Sequence, residues 1–182
     1  ADYKIDKIKK YFKINSPPLN CKIYKTKEKG TCAGIKDVLQ NVNSKNEIII
    51  LWSDLIIKKL PIFKKSPSIV TTSSFTCRWS IKQNKMIERA STNNGIPGIF
   101  YFKNKKLLKK IPNSGEFVKW CSLNLTNFYQ NKINSLKELG DFSTIEKSYN
   151  KIGYGRYFNN IKINKKFVIK KSIDKNYNHL IK

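Results

Sequence analysis

Apolar residues recur along this chain in two rhythms, one helical and one strand-like. Ile5, Ile8 and Phe12 fall on one side of an amphipathic helix with Asp2 near its start, and Ser16-Pro17-Pro18 stops it. Cys21-Lys22-Ile23-Tyr24 reads as a short strand leading to the glycine turn Lys29-Gly30-Thr31-Cys32-Ala33-Gly34. Ile35, Val38, Leu39 and Val42 then repeat as one helical face, with Thr31 as its N-cap. Glu47-Ile48-Ile49-Ile50-Leu51-Trp52 is a nearly unbroken apolar run, the pattern of a strand covered on both faces, and it ends in Ser53-Asp54. Leu55-Ile56-Ile57 and Leu60-Pro61-Ile62-Phe63 predict a short helix or covering loop.

Ser68-Ile69-Val70-Thr71-Thr72 is β-rich. Cys77–Ile81 and Met86–Ala90 flank the polar turn Lys82-Gln83-Asn84-Lys85, which predicts a hairpin with a four-residue loop. Gly95-Ile96-Pro97-Gly98 is a tight turn feeding a strand at Ile99–Phe102. Phe117, Trp120 and Cys121 predict a helix capped by Ser114. Leu125, Phe128, Tyr129, Ile133 and Leu136 continue the helical spacing to Leu139, so these aromatics read as core. Alternating helices and strands indicate an α/β fold.

Hydrophobic content of 40% and aromatic content of 12% make this a globular chain, and 182 residues suffice for a real core. Lys and Arg number 37 against 12 Asp and Glu, a formal charge of +25, which by itself suggests a polyanion partner. Arg, however, occurs only at Arg78, Arg89 and Arg156, and the lysines are scattered through every segment. A nucleic-acid binder would use more Arg for bidentate contacts, so nucleic acid is the lesser reading. Cys21, Cys32, Cys77 and Cys121 have no C-x-x-C spacing and the only histidine is His179. That argues against zinc and for free thiols in a reducing compartment, the cytoplasm. No apolar stretch approaches the roughly 20 residues of a membrane span.

The polar pair Ser53-Asp54 falls at the carboxyl end of its strand, where open α/β sheets place ligands, and an Asp there suits a hard divalent cation. Together with Lys29–Gly34, the run Ile48–Asp54 resembles the sugar-phosphate nucleotidyltransferases. Their Gly-Thr-Ala-type turn lies against the nucleotide base, and a strand ending in Tyr/Trp-Gly/Ser-Asp carries the first metal-binding carboxylate. Ile87-Glu88 resembles the second arm of their sugar-side hairpin. Gly95–Phe102 resembles the turn where the backbone approaches the sugar, with Ile96 or Pro97 in place of a polar residue. Gly140-Asp141-Phe142-Ser143-Thr144 resembles the Asp-x-Gly-Thr/His segment, with Asp141 as second carboxylate and Ser143 in place of glycine. Arg156–Ile163 and Phe167–Ser172 resemble the junction in proteins where such a domain is joined to a kinase-like phosphotransferase domain.

The resemblance implies a GT-A-like, Rossmann-like α/β fold, a mixed sheet flanked by helices. It implies a nucleotidyltransferase domain over 1–155 and, over 156–182, a C-terminal hairpin or the start of a following domain. The family's N-terminal strand and glycine-rich phosphate loop are expected before Ala1, so this stretch alone is expected to be inactive. The implied reaction is nucleotidyl transfer from a nucleoside triphosphate to a sugar-1-phosphate or similar phosphorylated alcohol, with pyrophosphate release and Mg²⁺ as cofactor. Asp54 and Asp141 would hold the metal. Gly30, Thr31, Trp52 and Ser53 would line the nucleotide, and Arg78, Glu88 and Gly98 the sugar side. The alternatives are a basic polyanion-binding module and a catalytically inactive scaffold.

Overall fold

The computed structural model describes residues 4–15, 21–140, 144–145, 159–163 and 167–172. In chain order the helices are α1 (Ile5–Asn15), α2 (Thr31–Leu39) and α3 (Phe117–Asn124), with a 3-10 turn at Leu107–Lys110. The strands are β1 (Ile48–Leu51), β2 (Leu55–Ile57), β3 (Ser68–Thr72), β4 (Ser80–Lys82), β5 (Lys85–Ile87), β6 (Ile99–Phe102), β7 (Tyr129–Ile133), β8 (Leu136–Glu138), β9 (Asn159–Ile163) and β10 (Val168–Ser172). Two compact units result, Ala1–Ser53 with Ile57–Leu136, and Asp54–Ile56 with Lys137–Lys182.

The first unit is built on a four-stranded sheet in the order β1-β6-β3-β7. β6 runs antiparallel to both β1 and β3, whereas β3 and β7 are parallel. Three strands therefore share one direction and β6 is reversed among them. Every residue of β3 and β6 is buried. These two, not β1, are the strands covered on both faces. β1 lies at the sheet edge and leaves Ile49 and Leu51 each 44% exposed. An apolar run fixes strand character, but its neighbours decide whether it is central.

Phe117 anchors the core. Its ring meets Phe100 edge-on at 5.1 Å, Trp52 at 6.3 Å, and stacks on Trp120 at 5.7 Å. Burying such a ring contributes about 1.5–3 kcal/mol. α1 shields Ile5, Ile8 and Phe12, the side expected from its spacing, and leaves Tyr11 and Ile14 exposed. α2 buries Cys32, Ala33 and Leu39, with Ile35 packed alongside, but turns Val38 outward.

Several segments differ from the sequence expectation. Residues 125–139 form β7 and β8 rather than a continued helix, because Leu125 N–H closes α3 on Cys121 and Tyr129 N–H then bonds Pro67. The apolar positions Leu125, Phe128, Ile133 and Leu136 are still buried. Parallel pairing with β3 satisfies the backbone of this Gln/Asn/Lys-rich stretch along a ladder, which overrides its helical spacing. Leu55–Ile57 is a strand rather than a helix or loop, and Cys21–Tyr24 is neither helix nor strand. The β4–β5 hairpin is present but tighter than expected: Lys82 pairs with Lys85, leaving Gln83 and Asn84 as the loop, both at positive φ. Two such residues in succession make the type I′ turn that suits hairpin twist.

The second unit holds Leu55 and Ile56 of β2, Lys137 and Glu138 of β8, and an antiparallel pair of β9 with β10. No helix among the described residues is long and apolar enough to cross a membrane.

Candidate functional site

In the first unit, Gly30 is the N-cap of α2 and stands at φ +97°, a conformation that favours glycine. Thr31 begins the helix instead of capping it. Its hydroxyl serves α3, accepting a 2.8 Å bond from Phe117 N–H. Glu116 occupies the N-cap position of α3 without a side-chain cap bond, so Ser114 is not the cap. A backbone zipper fixes the two turns together: Cys32 N–H donates to Gly115 O, and Gly115 N–H to Lys29 O. A Cβ on Gly30 would lie 2.4 Å from Gly115 O, so the approach excludes any side chain there.

Trp52 and Gly98 are brought together. Trp52 N–H donates to Gly98 O at 3.1 Å, and a Cβ on Gly98 would fall 2.0 Å from the indole. The half-buried indole packs on the core through Phe100 and Phe117. Ser53 is exposed. The carboxyl ends of β1 and β3 and the amino end of β6 lie on one sheet edge, since β6 alone is reversed.

Arg78 and Glu88 also meet. Arg78 Nε donates to Glu88 at 2.9 Å and its Nη2 to Glu116 at 3.0 Å, while Trp79 Nε1 donates to the other Glu116 oxygen at 2.8 Å. The Glu88 hydrogen bond, then the Glu116 charge, raise the guanidinium pKa further. The Glu116 carboxylate also sits at the start of α3, where negative charge is favourable. The hydrogen-bonding capacity of this cluster is directed within the protein.

Two buried cysteines are held as thiols. Burial, then the Glu116 charge, push the Cys32 thiol up, and burial, then Cys32, do the same for Cys121. Both stay neutral thiols at ordinary pH.

In the second unit, Asp54 sits where β2 begins, and its backbone carbonyl accepts from Leu139 N–H at 2.7 Å. Asp54 Oδ1 is fully buried and has no hydrogen-bond partner. A Cβ at Gly140 would lie 3.5 Å from Asp54 Oδ2 and 3.3 Å from Glu138 Oε1. Gly140 thus keeps clear a space flanked by two carboxylates. Glu138 was absent from the sequence-based candidates. The helical reading of 125–139 gave it no role, whereas at the end of β8 it faces Gly140 together with Asp54. Its proximity to a following glycine was the available signal. Asp141 lies outside the described residues. Among the described residues no group of three or more His, Cys, Asp and Glu could hold a metal ion.

No protein-family model matches this chain, and no curated protein is significantly similar to it.

Proposed function

We propose that this chain belongs to a nucleotidyltransferase of GT-A-like fold that joins a nucleoside monophosphate unit to a phosphorylated sugar or similar alcohol and releases pyrophosphate. The observation that carries the proposal is the buried Asp54 Oδ1 without a partner, on a carboxylate whose other oxygen, Oδ2, faces Gly140 together with Glu138 Oε1. An unsatisfied buried carboxylate oxygen costs on the order of 1–3 kcal/mol or more, so a protein retains one where a water, an ion or a ligand completes it, and an ion is the reading proposed here. Two carboxylates with space kept open by glycine fit Mg²⁺, which takes one or two carboxylates from protein and fills its shell with water and phosphate oxygens. Glu138 replaces Asp141 as the partner we assign to Asp54. When bound, Mg²⁺ would neutralise charge on the phosphates.

The first unit, taken by itself, has a sheet of the kind such a fold uses. Three strands of one direction with a reversed member make an open mixed sheet, and ligands of such sheets sit beyond the strand ends. Ser53 and the exposed rim of Trp52 are assigned to the nucleoside, with Gly98 letting backbone come close. Gly30 keeps its turn tight, and Thr31 contributes through its backbone because its hydroxyl is committed to Phe117. We assign Arg78 and Glu88 to tying the β4–β5 hairpin to α3 rather than to the sugar.

The test has two arms. Thermal unfolding of this chain with and without Mn²⁺, an Mg²⁺ surrogate, should show stabilisation by the cation. Pyrophosphate release should be measured with the protein from its full reading frame, each nucleoside triphosphate and a panel of sugar-1-phosphates. Stabilisation with Mg²⁺-dependent release is expected. Neither cation response nor release with any pair would end the proposal.

A further inference from the structure

Residues 58–67 lead into β3 within the first unit and read Lys-Lys-Leu-Pro-Ile-Phe-Lys-Lys-Ser-Pro. Lysine pairs bracket an apolar centre, and no Asp or Glu lies among them. The root of this loop is fixed to the sheet. Phe63 stacks on Tyr101 of β6 with ring centroids 4.8 Å apart. Lys103 N–H donates to Ser66 Oγ at 2.9 Å, Ser68 Oγ donates to Lys65 O at 2.6 Å, and Tyr129 N–H donates to Pro67 O at 2.9 Å. Leu60 and Pro61 are half-buried, so Ile62 is the apolar residue that the loop presents to solvent. At 81% it is the most exposed large apolar side chain among the described residues.

A single exposed isoleucine is ordinary, but its surroundings here are not. Lys58, Lys59, Lys64 and Lys65 are all exposed, and none forms an ion pair among the described residues. Lys65 Nζ lies 4.8 Å over the ring of the exposed Tyr129, and the exposed Lys103 adjoins the loop through Ser66. Cations around an apolar tip, with a tyrosine at the margin, match a surface that is anionic outside and apolar just beneath, which is a bilayer of acidic lipids. Lysine suits that partner. Its ammonium rides a flexible stem, needs no fixed fork geometry, and can reach the headgroups while the stem lies beside buried apolar surface. A nucleic acid fits less well. Single strands are held on aromatic platforms, whereas Phe63 is stacked on Tyr101 and Tyr129 lies under Lys65. Contact of this kind lies on the membrane and needs no spanning helix.

We infer that residues 58–65 are a membrane-surface contact, in which Ile62 enters the headgroup region of an anionic bilayer and Lys58, Lys59, Lys64 and Lys65 hold the acidic headgroups. The loop contains none of the residues assigned to the metal or the nucleotide, so the contact stands apart from nucleotidyl transfer.

Flotation of this chain with vesicles at physiological salt tests it, comparing phosphatidylcholine alone with phosphatidylcholine containing phosphatidylglycerol. The acidic vesicles should bind at least about tenfold more tightly than the neutral ones. Ile62→Ser should weaken that binding by about tenfold, and Ile62→Trp should strengthen it. Removing Lys58, Lys59 and Lys64 together, each as Lys→Gln, should weaken it by about a hundredfold. Lys27→Gln, Lys29→Gln and Lys119→Gln together remove the same charge around α2 and α3 and should cost no more than about threefold. All seven side chains are exposed, and an unaltered unfolding midpoint confirms that each variant is folded. Undiminished binding by both Ile62 variants overturns the contact. So does an equal loss from the two lysine triples, which would mean diffuse attraction to the +25 chain. Equal binding to neutral vesicles overturns the assigned lipid class. A single-stranded oligonucleotide that binds more tightly than the acidic vesicles, and is lost with Lys58, Lys59 and Lys64, reassigns the loop to nucleic acid.

Discussion

Two groups of charged side chains behave in opposite ways. Around Arg78, the guanidinium is divided between Glu88 and Glu116, and the second Glu116 oxygen takes the Trp79 indole N–H. At Asp54, one carboxylate oxygen is sealed from solvent with no protein donor, beside a second carboxylate. Both groups contain residues that the sequence marks as site candidates. The difference separates a charge that has a structural task from one that lacks a partner. A satisfied exposed network adds little to stability and needs nothing further, whereas a buried unsatisfied oxygen is costly until something fills it. Function is therefore better sought at Asp54 than at Arg78.

The most severe way to break this contrast is to remove the carboxylates. Asp54→Asn and Glu138→Gln should each lower pyrophosphate release by at least about tenfold, roughly 1.4 kcal/mol in the barrier, in the protein from the full reading frame. Each should also abolish stabilisation by Mn²⁺ in thermal unfolding of this chain. Without cation, Asp54→Asn should fold as well as the parent or better, because a neutral amide is cheaper than a buried unpaired carboxylate. Turnover within twofold of the parent at saturating Mg²⁺ would place the chemistry elsewhere.

What the sequence revealed was local. β3, β6, the β4–β5 hairpin and α3 follow from β-branched runs, turn residues and an aromatic face, and Asp54 follows from ending an apolar run. What it concealed depended on distant partners. The edge position of β1 is set by which strands pair with it, so Ile49 and Leu51 read as buried when they are exposed. β7 carries polar residues where a strand would normally show alternation, and its apolar neighbours happen to fall at helical intervals. That one misreading hid Glu138. The roles of Thr31 and Glu116 were equally invisible, because each serves a partner distant in sequence: Thr31 accepts from Phe117 N–H 86 residues away, and Glu116 accepts from Arg78 and Trp79.

Glycines sharpen the same contrast with a smaller effect. Gly30→Ala forces a side chain at φ +97° into Gly115 O and should cost about 1–3 kcal/mol, seen as a lower Tm, while the Mn²⁺ response persists. Gly140→Ala should do the reverse. The nearest atoms to its Cβ are carboxylate side chains, Glu138 at 3.3 Å and Asp54 at 3.5 Å, which can give way, so stability should change little. The methyl would occupy the space between Asp54 and Glu138, and the Mn²⁺ response should fall. If both variants lose stability alike, Gly140 is a packing residue and the space it keeps has no ligand.

The smallest effects belong to the Arg78 cluster, and their ranking is informative. Glu116→Ala strips the acceptor from the buried Trp79 indole and should cost about 1 kcal/mol, because a buried N–H is left unmet. Arg78→Gln and Glu88→Gln should lower Tm less than that, since their side chains are 63% and 48% exposed. In a double-mutant cycle at low salt these two should couple measurably. At about 1 M salt, where the screening length falls to about 3 Å, the coupling should vanish. An exposed pair is screened because ions can reach it, whereas a pair held inside a closed site is not. Coupling that survived in concentrated salt would show the cluster to be shielded, and Arg78 and Glu88 would return to consideration as ligand-binding groups. Coupling that disappears leaves them as the clasp between hairpin and helix, with Asp54 carrying the unmet valence.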